Sequence, residues 1–166
     1  NTSTIPIAEL AKVTDRMDQV IGLHFMSPVP KMKLVEVIKH EYTSEETIDF
    51  ANRIIEKIEK NPVLIKDSPG FVSSRLAAAF INEASYINEQ GIADVESIDK
   101  IAMLGLNFPI GPLKLADEIG LDVVLDVLNS LHTHLKDEKY QPNNLLIQMV
   151  ENNLYGRKSG KGFYQY

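Results

Sequence analysis

The sequence predicts a mostly helical chain: the end of an α/β domain made of short strands, followed by an all-helical domain. Three observations carry this. Two β-rich runs flank a Pro-containing connector between Val20 and Lys39. A helical apolar period follows and gives way to a third short run at Pro62–Lys66. After Asp67 every apolar pattern repeats at helical spacing. The boundary therefore falls at 67/68, with residues 1–67 in the first domain and 68–166 in the second.

In order, Ser3 or Thr4 is placed to cap a first helix with Pro6 near its first turn. Ile7, Leu10, Ala11 and Val13 give that helix an apolar face, and it is expected to end near Met17 or Asp18. Val20–Phe25 and Lys33–Lys39 are the two strands, rich in β-branched and aromatic residues. Pro28 and Pro30 exclude a helix between them. Thr43-Ser44-Glu45-Glu46 is a cap followed by acids, and Ile48, Ala51, Ile54, Ile55 and Ile58 continue the helix up to Asn61, where Pro62 stops it. Asp67-Ser68-Pro69-Gly70-Phe71 is a turn opening a long helix, roughly Gly70 to Gln90, with Val72, Leu76, Ala79, Phe80, Ala84 and Ile87 inward. Gly91 ends it. Asp94 caps Val95–Leu104; Leu113–Ile119, Asp122–Leu135 and Leu145–Glu151 follow. Asp117 and Asp122 are expected as caps or exposed charges, and Tyr155–Tyr166 as a solvated tail anchored by Phe163 and Tyr164.

The first strand carries His24 and the second carries Glu36. A Pro-containing link between strands can set the two side by side. A carboxylate against an imidazole fixes its tautomer and supports its charged form, the arrangement of a general base with an orienting acid. From spacing alone, a satisfied strand-end histidine and a solvent-facing glutamate is the more frequent arrangement. His132 and His134 stand two apart, on different helix faces, and do not make a metal site.

Bulk properties narrow the classes. The chain has 166 residues, a net charge of -6 and scattered basic residues, which argues against nucleic acid as partner. It has no cysteine, so neither a disulfide framework nor a thiolate metal site exists. No apolar run has the ~18-residue length of a membrane helix, and a cytoplasmic protein is expected. The sequence starts NTSTIPIAEL, without Met or a signal-peptide pattern. Two or three short strands make a poor independent sheet. Both features lead to the expectation of further chain upstream.

The stretches NTSTIPI, GLHFMSPVPKMKLVEV, DSPGFVSSR, PIGPLKLADEIGLD and GRKSGKGFYQY, in this order and spacing, resemble the short-chain L-3-hydroxyacyl-CoA dehydrogenases, including the 3-hydroxybutyryl-CoA dehydrogenases. The resemblance covers the whole chain. It implies NAD as cofactor, an acyl-CoA substrate and a homodimer formed by the helical domain. It implies His24 as catalytic base and Glu36 as its partner, with Ser3 and Ser74 at the substrate. It places Asn1, Ser27 and Lys158 at the cofactor. Ser27 and Ser74 stand where the family has asparagine, and a hydroxyl offers fewer donors than an amide. The family's Gly-x-Gly-x-x-Gly unit is absent from this sequence, so the resemblance implies a chain lacking its dinucleotide-binding half, inactive until that half is supplied. Two other readings stand beside it: a non-catalytic dimerisation or interaction module of the same fold, and a relative acting on another hydroxy acid. In the dehydrogenase reading, oxidation loses rate on the acid side as His24 takes up a proton.

Overall fold

A run buried on both faces becomes a central strand, and Leu34–Lys39 (β2) is that run: the apolar Val35, Val37 and Ile38 are buried, and Glu36 is buried among them. The computed structural model describes Ile5–Tyr166. Those residues form two compact units, divided between Val72 and Ser73. None of the described helices is long and apolar enough to cross a membrane.

In the first unit Gly22–Phe25 (β1) pairs antiparallel with β2, and Asn61–Lys66 (β3) pairs parallel to it, giving the order β1-β2-β3. The parallel pair needs a crossover, and Glu45–Lys57 (α2) supplies it. Ser44 caps α2, accepting from the Thr47 N–H at 3.2 Å. Side chains alternate across β2. Val35 and Val37 pack on Ala51 and Ile55 of α2, while Ile38 packs on the other face with Ile7 and Phe71. Gly22 permits that second face to close: a Cβ there would sit 3.0 Å from both Ile38 and Ile7.

Two helix ends differ from the sequence expectation. The first helix, α1, spans only Ile7–Ala11, with Pro6 at its N-cap and no side-chain cap; Ser3 and Thr4, the expected caps, lie outside the described residues. It ends early because the Thr14 hydroxyl and N–H both take the Ala11 carbonyl, each at 3.0 Å. Val13, expected inward, is consequently 85% exposed. Helix α2 stops at Lys57 rather than running to Asn61. Glu59 is left-handed and the Lys60 N–H returns to the Ile55 carbonyl at 3.1 Å, a C-terminal closure that needs no proline. Pro62 is then a residue of β3, tolerated because that strand is an edge.

The second unit begins with Ser73–Glu89 (α3) and continues with Val95–Gly105 (α4), Pro112–Ile119 (α5), Leu121–Leu135 (α6) and Asn144–Glu151 (α7). Its main core joins Ala78 and Ile81 of α3 to Ala116, Leu121, Val124, Leu128, Leu131 and Leu146. The face of α3 differs from the apolar stripe expected of it. Val72 and Leu76 are largely exposed, while Asn82 and Ser85 are buried. These two bond Asn143: its Nδ2 donates to Asn82 Oδ1 at 3.1 Å, and its Oδ1 accepts from the Ser85 hydroxyl at 3.1 Å and, as the cap of α7, from the Leu146 N–H at 2.9 Å.

Asp117 and the tail also depart from expectation. Asp117 is 1% exposed, neither a cap nor a surface charge. It accepts from the Phe163 N–H at 2.9 Å, the Tyr164 N–H at 2.8 Å and the Tyr166 hydroxyl at 3.2 Å. Asp99 on α4, also buried, accepts from the Leu113 and Lys114 N–H groups at the start of α5 and from the Tyr164 hydroxyl. The tail is thus fastened to two buried carboxylates, with isolated bridges Gly156–Lys161 and Lys161–Gln165 holding its shape. A Cβ at Gly162 would lie 2.1 Å from Asp117 Oδ1. Gly162→Ala is therefore expected to cost about 1–3 kcal/mol in urea unfolding, through displacement of the tail. Burial, and then the bonded Asp99 carboxylate, pushes the Tyr164 phenol well above its ordinary value. A folded-state value raised in this way gives a contribution complete below the unfolded-state value, about 10, and lost as pH climbs past it. Between about pH 9 and about pH 11 the urea midpoint is expected to fall more steeply in the native chain than in Tyr164→Phe.

Candidate active site

Antiparallel pairing places His24 directly opposite Glu36 on neighbouring strands. Alternation puts both on the face of Gly22 and Ile38, away from α2. His24 Nδ1 lies 2.7 Å from Glu36 Oε2, with the carboxylate side chain 3% exposed and the imidazole 15%. A carboxylate oxygen accepts, so Nδ1 carries the proton and the neutral ring keeps its lone pair on Nε2. The pair therefore fixes the tautomer of the neutral ring. Glu36 Oε1 accepts from the Val72 N–H at 3.2 Å. Both carboxylate oxygens are engaged by N–H donors, as burial of the group requires.

The turn after β3 completes this face. Asp67 Oδ2 accepts from the Ala8 N–H at 2.9 Å, tying the turn to α1. Gly70 and Phe71 both have positive φ, 73° and 47°. Such a conformation is ordinary for glycine and costs a bulky residue on the order of 1–3 kcal/mol. The Phe71 ring is 3% exposed, and its centroid is 5.5 Å from that of His24 at an interplanar angle of 55°. Because neither residue is helical, α3 starts at Ser73 instead of Gly70.

Of the other expected site residues, Ser27 is exposed in the β1–β2 connection, at the cis Ser27–Pro28 bond. Asn1 and Ser3 lie outside the described residues. Ser74 stands half-buried in the first turn of α3, in the second unit. Lys158, also in the second unit, is exposed, and its ammonium bonds Asp122 Oδ2 at 2.6 Å. Burial raises the Asp122 carboxyl, but the Lys158 ammonium and backbone N–H groups outweigh it and hold the group below its ordinary value. Sequence reading passed over the Phe71 ring and the Val72 N–H at the dyad. The Pro-Gly-Phe turn was visible, whereas the left-handed backbone of a phenylalanine has no sequence mark. Among the described residues no cluster of His, Cys, Asp and Glu suited to a metal exists.

Comparison with known proteins follows this geometry. Residues 70–166 match the family profile described as 3-hydroxyacyl-CoA dehydrogenase, C-terminal domain. Residues 1–68 match the profile described as 3-hydroxyacyl-CoA dehydrogenase, NAD binding domain. Over its full length the chain is 51% identical to a probable 3-hydroxybutyryl-CoA dehydrogenase of Bacillus subtilis, covering 58% of that protein. It is 49% identical to the 3-hydroxybutyryl-CoA dehydrogenase of Clostridioides difficile, covering 59%. The crystal structure of (S)-3-hydroxybutyryl-CoA dehydrogenase from Ralstonia eutropha superposes with a TM-score of 0.96 at 46% identity, over 100% of this chain and 59% of that one. The chain thus spans somewhat over half the length of these relatives.

The Lys158–Asp122 pair is surface-exposed and open to solvent screening. Lys158→Met is expected to lower stability by no more than about 1 kcal/mol in urea unfolding.

Proposed function

The chain belongs to the 3-hydroxyacyl-CoA dehydrogenase family, and we propose that it carries the acid–base half of that reaction, interconverting L-3-hydroxyacyl-CoA and 3-ketoacyl-CoA. The observation that carries this is the 2.7 Å contact of His24 Nδ1 with the buried Glu36 carboxylate. Such a pair leaves Nε2 to take a proton and stabilises the resulting imidazolium.

The donor set fits a hydroxyl–carbonyl redox reaction. It has an imidazole oriented by a buried carboxylate and an exposed Ser27 three positions past His24. NAD, when bound, supplies the two-electron acceptor. His24 Nε2 accepts the proton of the substrate 3-hydroxyl as the C3–H bond gives up its electron pair. In reverse, the imidazolium returns that proton to the 3-keto oxygen. Glu36 holds the ring in its tautomer and balances its charge at each turn. Ser3 is assigned to a hydrogen bond with the same substrate oxygen, and Ser74 to the acyl carbonyl. Asn1, Ser27 and Lys158 are assigned to the cofactor, Lys158 with its charge already shared with Asp122. In this reading residues 1–67 belong to the NAD-binding domain and 68–166 to a helical substrate and dimerisation domain, in a homodimeric cytoplasmic enzyme. The relatives' names favour a short acyl chain, 3-hydroxybutyryl-CoA.

The test is NADH oxidation with acetoacetyl-CoA. It is run on this chain and on this chain fused behind an upstream Gly-x-Gly-x-x-Gly dinucleotide-binding unit. Turnover is expected in the fusion. His24→Gln and Glu36→Gln are each expected to lower kcat by roughly 100- to 10,000-fold with the fold intact by circular dichroism. Near-normal rates in both variants would overturn the assignment of the base. A folded fusion with no turnover would favour an interaction module.

A further inference from the structure

Beside His24 stands a residue whose backbone is strained and whose ring takes no part in the proton transfer. Phe71 adopts φ 47° while its ring is buried against Ile7 and Ile38 and beside the His24 imidazole. Other non-glycine residues with positive φ, such as Glu59 and Lys136, close helix C-termini, where that conformation is common. Phe71 closes no helix. It follows Ser68, whose carbonyl accepts the Phe71 N–H at 2.9 Å, and precedes Val72, whose N–H reaches Glu36 Oε1. One turn therefore touches both members of the pair, the ring on His24 and the next peptide on Glu36.

We propose that Phe71 is a positioning residue for the base, its left-handed backbone aiming the ring at His24 and the Val72 N–H at Glu36. Resting on the dyad assignment above, it adds a second restraint that the strand pairing does not supply. Pairing of β1 with β2 sets where His24 and Glu36 begin, at their Cα atoms. The imidazole can still rotate about its own side-chain bonds, and the carboxylate about its own. The Glu36 contact defines one edge of the ring, and the Phe71 ring restricts the tilt of the plane. The Val72 N–H prevents the carboxylate from turning both oxygens toward other donors. Strain retained beside a reacting group, in surroundings that over-determine it, is the condition under which such conformations persist.

The test separates this proposal from the proposed activity by reading the imidazole directly. The native chain, labelled with 15N-histidine, is expected to show a slowly exchanging His24 Nδ1–H in long-range 1H–15N correlation spectra. Phe71→Asn keeps a residue that tolerates positive φ and removes the ring. It is expected to fold, by circular dichroism, but to shorten the lifetime of that proton. Phe71→Leu fills the space without a flat face and is expected to do the same, so the proposal stays open to refutation if the asparagine variant does not fold. Phe71→Tyr, which restores the ring, is expected to recover the native lifetime. In the fusion enzyme, Phe71→Leu is expected to lower kcat roughly tenfold or more while KM for acetoacetyl-CoA stays within about twofold. An unchanged Nδ1–H lifetime in whichever ringless variant folds would overturn the proposal. That holds whether or not the fusion turns over. Equal loss of the signal in Phe71→Tyr and Phe71→Leu would also overturn it, since the ring would then not be what holds His24.

Discussion

A carboxylate at the centre of a buried strand is costly unless every lone pair it turns inward meets a donor. Glu36, 2% exposed on β2, is in that position, and the dyad face of the first unit is arranged around answering it. Among the described residues, one of its oxygens accepts a hydrogen bond from an imidazole on the neighbouring strand and the other from the backbone N–H of a turn thirty-six positions away. Ile38 and Gly22 close the same face with Ile7 and Phe71, keeping water from the carboxylate's flank. The chemistry proposed for His24 depends on this burial. The same contact in open water would be a weak, fluctuating surface pair.

Two different solutions to buried polarity recur in the second unit. Asp99 and Asp117 are each surrounded by backbone N–H groups and phenol hydroxyls, so their charge is spread over several donors. Asn82, Ser85 and Asn143 instead form a neutral network in which each amide serves as donor and acceptor. Both solutions join segments distant in sequence: α4 to α5 and the tail in one case, α3 to the start of α7 in the other. Apolar packing alone holds such segments near each other with little preference for register, whereas a directional bond accepts one alignment.

How much of this could be read beforehand follows from how local each signal is. The strands and the prolines between them rest on alternation within twenty residues and are legible, whereas the pairing of His24 with Glu36 is the less frequent arrangement on spacing alone and becomes an expectation only through the family resemblance. The Ser44, Asp94 and Asn143 caps follow from residues within a turn of each helix start. The burial of Asp117 was not legible, because its donors sit forty-six to forty-nine positions away and a helical aspartate ordinarily faces water. The end of α1 was misplaced because a single threonine hydroxyl outcompeted a continuing apolar pattern. The outward turn of Leu76 goes with a buried face on α3 that mixes Ala78, Ile81 and Ala84 with the polar Asn82 and Ser85, which a count of hydrophobic positions cannot detect. Of the candidate site, His24 and Glu36 are singled out by the resemblance, while the Phe71 ring and Val72 peptide beside them depend on a backbone conformation that phenylalanine seldom adopts.

The contact between Gly111 and Asp99 has a bearing on heredity. A Cβ at position 111 would fall 2.2 Å from the Asp99 carboxyl carbon, so any side chain there is incompatible with the aspartate where it stands. The aspartate in turn holds the first N–H groups of α5, which would otherwise be buried without acceptors. Loss of the carboxylate would vacate the space a larger residue at 111 needs, yet strand those donors. A larger residue at 111 therefore requires the aspartate to move or be lost, and its loss leaves those N–H groups to find another acceptor. The aspartate and the glycine are thus coupled in inheritance: what a change at one position costs depends on which residue stands at the other.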